Sequence, residues 1–186
     1  MRRPRAHRRR CARRLPIVAL LAAGLAAGGC GADGDGSRTG PPRQGDPLPP
    51  FTAATLSGDT VSLRDLEGPL LVNLWATWCA PCRAETPYLQ SIHEAYHDQG
   101  LKVIGITVDD RGARASVDRF LEEFGVTYGI LHDPSMGSMD VFGAIGLPAT
   151  YLVDREGTIA WARLGPVMEG DPVFEEAVRR VVEPDS

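Results

Sequence analysis

Cys79 and Cys82 stand two residues apart in Trp78-Cys79-Ala80-Pro81-Cys82, between an apolar run and a segment of helical pattern. A cysteine at a helix N-terminus faces unpaired N–H groups and the positive end of the helix dipole. Both favour the thiolate, lower the thiol pKa and make the sulfur a nucleophile. Cys82, one turn into the helix, can close a disulfide onto Cys79. Such a pair can exchange a disulfide with a partner through a mixed disulfide. Cys79, at the exposed end, is expected to attack and Cys82 to resolve. Two blander readings compete. A purely structural disulfide is one, but so tight a loop constrains little of the unfolded chain. Zinc is the other, because Cys79, Cys82, His93 and His97 are spaced C-x2-C-x10-H-x3-H. If residues 81–99 form one helix, Cys82 and His93 are roughly 16 Å apart at 1.5 Å rise per residue, too far to share a metal. No metal and no cofactor are expected, and the two histidines read as solvated helix residues.

Glu85 follows Cys82 by three residues, and positions i and i+3 share a helix face, so its carboxylate can approach the sulfur. Partly buried, it would have a raised pKa and could act as a base. At the surface it would only favour the helix dipole. The residues alone leave these two readings level.

The elements that must position these groups follow from the pattern. Leu70–Trp75, LLVNLW, reads as a buried central strand, and Leu101–Val108 as a second one. The helix from Pro81 to Gln99 carries Pro87 inside it, where a kink is expected, and ends at Gly100. Phe51–Leu56 and Thr60–Leu63 read as a hairpin around Ser57-Gly58-Asp59. Val117, Phe120, Leu121 and Phe124 mark one helix face, closed by Gly125. A short strand at Tyr128–Leu131 and a short helix at Met139–Ala144 come next. Ala149–Val153 and Thr158–Arg163 pair across a turn, and Asp171-Pro172 opens a last helix to Val182. His132 beside Asp133 reads as a loop residue, and Asp109-Asp110 as a strand-end turn and helix start. The class is α/β, a mixed central sheet flanked by helices with an N-terminal β-hairpin.

The run LLVNLWATWCAPCRAETP, together with Gly146-Leu147-Pro148-Ala149-Thr150 before a strand, resembles the thioredoxin superfamily, and most its TlpA/ResA branch of exported thiol–disulfide oxidoreductases. The likeness extends from about Gly45 to Pro166. It implies a thioredoxin-like fold, a redox-active Cys79–Cys82 disulfide, and a cis Pro148 beside it that supports the docked chain. It also implies Trp78 and Leu147 as contacts to that chain, and Glu85 as the acid that manages the resolving cysteine's proton. Cytoplasmic thioredoxin has a buried Asp where this chain has Asn73. Members of the branch mostly act as reductants, commonly in cytochrome c maturation or copper-site assembly. The implied partners are a disulfide-containing substrate protein and a membrane thiol electron donor, with the chain a monomer. The Ala80-Pro81 dipeptide lacks the His of the strongly oxidising branch. Three alternatives remain: a disulfide-introducing oxidant, a redoxin-type peroxidase, and a non-enzymatic copper or zinc carrier. The peroxidase class needs a Thr three residues before its cysteine, and Ala76 stands there.

The first fifty residues read as targeting rather than fold. Residues 1–29 carry eight arginines, no acid and the apolar run LPIVALLAAGLAAGG, the pattern of a secretory signal too short to span a bilayer. Ala27-Gly28-Gly29-Cys30 resembles a bacterial lipobox, with Ala27 where Leu is usual, so Cys30 is the expected lipid attachment site. Residues 30–49, rich in Gly, Pro and Asp, read as a flexible linker, and residues 50–186 as the domain. The expected location is extracytoplasmic, lipid-anchored to the cell membrane, or secreted if the lipobox is unused. The net charge of −4 hides a leader of +8 and a remainder of −12. That acidity argues against nucleic acid as a partner. With Cys11 in the leader and Cys30 at the junction, only Cys79 and Cys82 remain for chemistry.

Overall fold

The structure is a computed structural model that describes residues 40–183; the leader, Cys30 and the first half of the linker expected at 30–49 lie outside the described residues. Seven strands form one sheet in the order β2-β1-β5-β4-β3-β6-β7. β3 (Leu70–Trp75), β4 (Lys102–Thr107) and β5 (Gly129–His132) are parallel at its centre. β6 (Ala149–Val153) and β7 (Ile159–Leu164) extend it antiparallel on one side. The hairpin β1 (Thr52–Thr55) and β2 (Thr60–Ser62) closes the other. All six residues of β3 are buried, as expected of a parallel strand covered on both faces.

Each face of the sheet has its own core. On one, Leu71, Trp75, Val103, Tyr128, Ile130 and Leu152 meet helices α1 (Ala80–Tyr96), α2 (Arg114–Phe124) and α4 (Pro172–Val182) through Leu89, Ile92, Val117, Phe120, Phe174 and Val178. On the other, Val72, Leu74, Ile104, Ile106, Tyr151 and Val153 pack against Leu48, Leu63 and Phe142, the last just after the short helix α3 (Gly137–Val141). Alternate residues of β3 and β4 thus feed opposite cores. Among the described residues no helix is long and apolar enough to cross a membrane.

Caps explain the helix ends. The Asp171 carboxylate accepts from the N–H groups of Val173 and Phe174 at 3.0 and 3.2 Å, with Pro172 in the first turn of α4. Gly125 ends α2 in the left-handed region at φ 63°. α1 runs through Pro87 and passes into a short 3-10 turn at His97–Gln99.

Three segments differ from the sequence reading. His132, read as a loop residue, is the last residue of β5, paired with Thr107, because the parallel β4–β5 ladder runs on to it. α3 starts at Gly137, two residues before the expected Met139, because the Asp133 carboxylate accepts from the Ser138 N–H and the Ser135 hydroxyl, both at 2.6 Å. The end of the expected linker is also fastened down. Gly45 and Leu48 donate their N–H groups to Ile159 and Gly157 at 2.8 Å, and Leu48 is buried. The open edge near the start of β7 offers those carbonyls, and Leu48 gains an apolar contact, so the chain is tied from Gly45 onward.

Candidate active site

β3 and β4 end level, with Trp75 opposite Thr107. The chain leaves β3 through Ala76-Thr77-Trp78 and enters α1 at Cys79. Cys79 is the N-cap: it sits in the extended region, its Sγ accepts from the Cys82 N–H at 3.2 Å, and Pro81 occupies the first turn. The sulfurs of Cys79 and Cys82 are joined in a disulfide, with Cα atoms 5.2 Å apart. Cys79 keeps 5% of its surface exposed and Cys82 none. Of the two, Cys79 is the less covered. No cluster of three or more potential metal ligands occurs among the described residues.

Glu85 lies one turn further in, fully buried. Its Oε1 accepts from the Asn73 amide at 2.8 Å and its Oε2 from the Val167 N–H at 2.7 Å. The second Asn73 amide hydrogen goes to the Thr150 hydroxyl at 2.9 Å, directly across the β3–β6 pairing. Burial pushes the Glu85 carboxyl from its ordinary 4.5 up to about 7, with the Val167 N–H and the Asn73 amide pulling back by favouring the anion. A carboxyl near neutrality can take up and release a proton at physiological pH. Tyr128, deeply buried on the same core, is raised by that burial and by the Glu85 charge.

Two loops flank the disulfide end of the sheet. The Leu147–Pro148 peptide is cis and opens β6, whose Ala149 faces Leu74. The Gly165 N–H donates to the Pro148 carbonyl at 2.8 Å, so the loop after β7 lies against the proline. That loop is the one held by Glu85 through Val167. Trp78, at 68%, and Ile145, at 91%, are strongly exposed, and Leu164 and Met168 are partly so. Leu147 is half-buried. These apolar side chains lie on the segments that converge on Cys79 and Pro148.

The sequence-expected residues Cys79, Cys82, Glu85, Trp78, Leu147 and Pro148 thus sit on two segments, the β3–α1 connection with the start of α1 and the loop that opens β6, which the Leu74–Ala149 pairing brings to one end of the sheet, while Cys30 lies outside the described residues. Trp75 packs in the core against Phe120, ring centroids 4.4 Å apart, as its apolar neighbours suggest. His93 and His97 divide. His97 is exposed, but His93 is half-buried with its ring 6.0 Å from that of Tyr128. Two further residues near the site are placed by contacts across the fold: Arg83, whose sequence suits pairing with an acid, and Asp109, read as part of a strand-end turn. Arg83 lies over the rings of Phe120 and Phe124 and pairs with Glu123, tying α1 to α2. Asp109 is 1% exposed and bonds the turn before Cys79. The β3–β4 register is the signal that could have found it, since Thr77 and Asp109 follow the paired Trp75 and Thr107 by two residues each.

Residues 44–162 match a family profile described as the AhpC/TSA family. Among curated proteins, the thiol–disulfide oxidoreductase ResA of Oceanobacillus iheyensis is 35% identical over 122 residues, 63% of this chain and 62% of its own length. The ResA of Halalkalibacterium halodurans is 30% identical over 128 residues, 68% of this chain and 72% of its own. Among solved structures, the thioredoxin domain of a thiol–disulfide oxidoreductase from Bacteroides vulgatus superposes with a TM-score of 0.64. It is 29% identical, and the match covers 74% of this chain and 97% of that one. The fold is thioredoxin-like.

Proposed function

Since the chain belongs to the AhpC/TSA family, we propose that it is a thiol–disulfide oxidoreductase that reduces protein disulfides outside the cytoplasm. The observation that carries this is the Cys79–Cys82 disulfide at the N-terminus of α1 with the buried Glu85 carboxyl one turn below. In the reduced chain the Cys79 thiolate attacks a substrate disulfide and forms a mixed disulfide as one substrate thiolate leaves. Glu85, titrating near 7, accepts the Cys82 proton. The Cys82 sulfur then attacks Cys79 Sγ, the second substrate sulfur leaves as a thiol, and two electrons have passed to the substrate. Trp78 and Leu147 contact the docked chain, and Pro148 supports it.

The natural electron source is a membrane thiol donor, and the substrate is a disulfide-bearing protein, of the cytochrome c maturation or copper-site assembly kind. A lipid on Cys30 tethers the chain. As a peroxidase, the chain would lack the Thr that the class places three residues before its cysteine; Ala76 there is fully buried.

The test is a Cys82→Ser variant expressed in cells with its leader. It is expected to accumulate a mixed disulfide with its substrate through Cys79, released by dithiothreitol and absent in Cys79→Ser. Absence of any trapped partner, or equal trapping through Cys82, contradicts the assignment of attacking and resolving thiols. Peroxide consumption matching that of established peroxidases would replace this reading with the peroxidase one.

A further inference from the structure

Asp109 is a buried carboxylate that the disulfide-exchange chemistry above leaves without a task. Its Oδ2 accepts from the Thr77 N–H at 2.9 Å and from the Thr107 hydroxyl at 2.6 Å, while its Oδ1 accepts from the Thr77 hydroxyl at 2.7 Å. Its own backbone is braced twice. The Asp109 N–H donates to the Thr107 hydroxyl oxygen at 3.3 Å, and His132 Nε2–H donates to the Asp109 carbonyl at 2.9 Å. Burying a carboxylate costs several kcal/mol unless its oxygens are bonded, so three donors on one side chain mark a built arrangement. Both groups that Thr77 offers are committed to it. The neighbouring Asp110 does the ordinary work of such a pair, capping the next turn through the Gly112 N–H at 2.7 Å.

Thr77 is two residues before Cys79, inside the turn closed by the Cys79 N–H donating to the Ala76 carbonyl at 3.1 Å. While the disulfide is closed, Cys79 Sγ is also held by Cys82. Once it opens, the position of the attacking sulfur depends on this turn and on the helix cap. We propose that Asp109 is the positioning residue of the redox turn, fixing residues 76–78 and, as a buried negative group beside them, holding the cysteine pair toward the reducing end. A like charge near a thiolate disfavours it, and a pair whose thiolate is less stabilised gives up its electrons more readily. The proposal rests on the oxidoreductase reading and explains how this chain keeps a reducing poise with a helix N-terminus that would otherwise favour the thiolate.

The test equilibrates the full-length chain in detergent with glutathione. The reaction is protein dithiol plus oxidised glutathione giving protein disulfide plus two reduced glutathione, with two electrons and two protons transferred. Asp109→Asn keeps the shape, removes the charge and leaves one acceptor oxygen, so at least one of the three bonds is lost. It is expected to lower the equilibrium constant for oxidation of the protein roughly tenfold, the size of a change of one pKa unit at the attacking thiol. Thr77→Val keeps the charge and the N–H bond but removes the hydroxyl anchor. It is expected to leave that constant within twofold and to lower kcat for insulin reduction several-fold at unchanged KM, and Thr77→Ser is expected to restore kcat. An Asp109→Asn constant within twofold of the wild-type value overturns the proposal. If Asp109→Asn does not fold, an unchanged kcat in Thr77→Val overturns it instead. A wild-type chain that fails to reduce insulin at all sinks the oxidoreductase reading itself, a separate outcome.

Discussion

Glu85→Gln is the perturbation whose consequences the structure fixes most closely. Moving a carboxyl from 4.5 to about 7 corresponds to about 3 kcal/mol, at about 1.4 kcal/mol for each tenfold in proton affinity. The folded chain holds this proton more tightly than the unfolded chain does. The stabilisation is therefore complete below about pH 4.5 and is lost as the pH climbs to about 7, since stability falls with pH wherever the native state binds more protons. A glutamine has nothing to ionise. It has one acceptor oxygen and cannot satisfy both Asn73 and Val167, a cost of about 1 kcal/mol at any pH. At pH 4.5 the variant should be about 1 kcal/mol less stable than the wild type, and at pH 8 about 2 kcal/mol more stable. Urea unfolding of both chains at the two pH values, with the disulfide intact, measures this, and comparing the two cancels every other titrating group. Stability curves that run parallel, with no crossing between pH 4.5 and 8, would refute the reasoning.

Three further outcomes follow from single contacts. Asn73→Ala removes a bond that favours the Glu85 anion and strands the Thr150 hydroxyl; the Glu85 titration should move above 7 by NMR, with stability down about 1–3 kcal/mol. Gly105→Ala would put a Cβ 2.8 Å from Trp75 Nε1 and 2.9 Å from Ile130 Cδ1, a clash in the core that should cost about 1–3 kcal/mol in urea unfolding; an unchanged midpoint speaks against the tight packing. Trp78→Ser, at a side chain 68% exposed, should leave stability within about 0.5 kcal/mol while raising KM for a protein disulfide; an unchanged KM removes Trp78 from the docking surface.

The path from residues to site was readable where it was local. The unbroken run of β3, the helix that follows and Gly125 at the end of α2 follow from periodicity and capping along one stretch of chain. Cys79 and Cys82 were readable for the same reason, since their chemistry comes from one helix end. Glu85 was not decided by its neighbours. Its burial depends on Asn73 from β3 and Val167 after β7, partners 12 and 82 residues away in sequence. The cis Leu147–Pro148 peptide was legible only through the family resemblance. Asp109 looked like half of a turn signal because its partners are Thr77, in the turn after β3, and His132, at the end of β5, and only the register of the parallel pairs brings them together. The pairing of Gly45–Leu48 was hidden by a Gly- and Pro-rich composition that reads as linker, although Leu48 supplies a buried apolar side chain.

The direction of electron flow is the centre of the account, and the reduction potential of the Cys79–Cys82 couple tests it most directly. Equilibration of the wild-type chain with a glutathione series, read by thiol alkylation, is expected to place it well below about −200 mV, toward the range of about −270 mV typical of reducing thioredoxins. A value near about −120 mV, that of strong oxidants, would contradict the assignment as a reductant and make the chain a donor of disulfides.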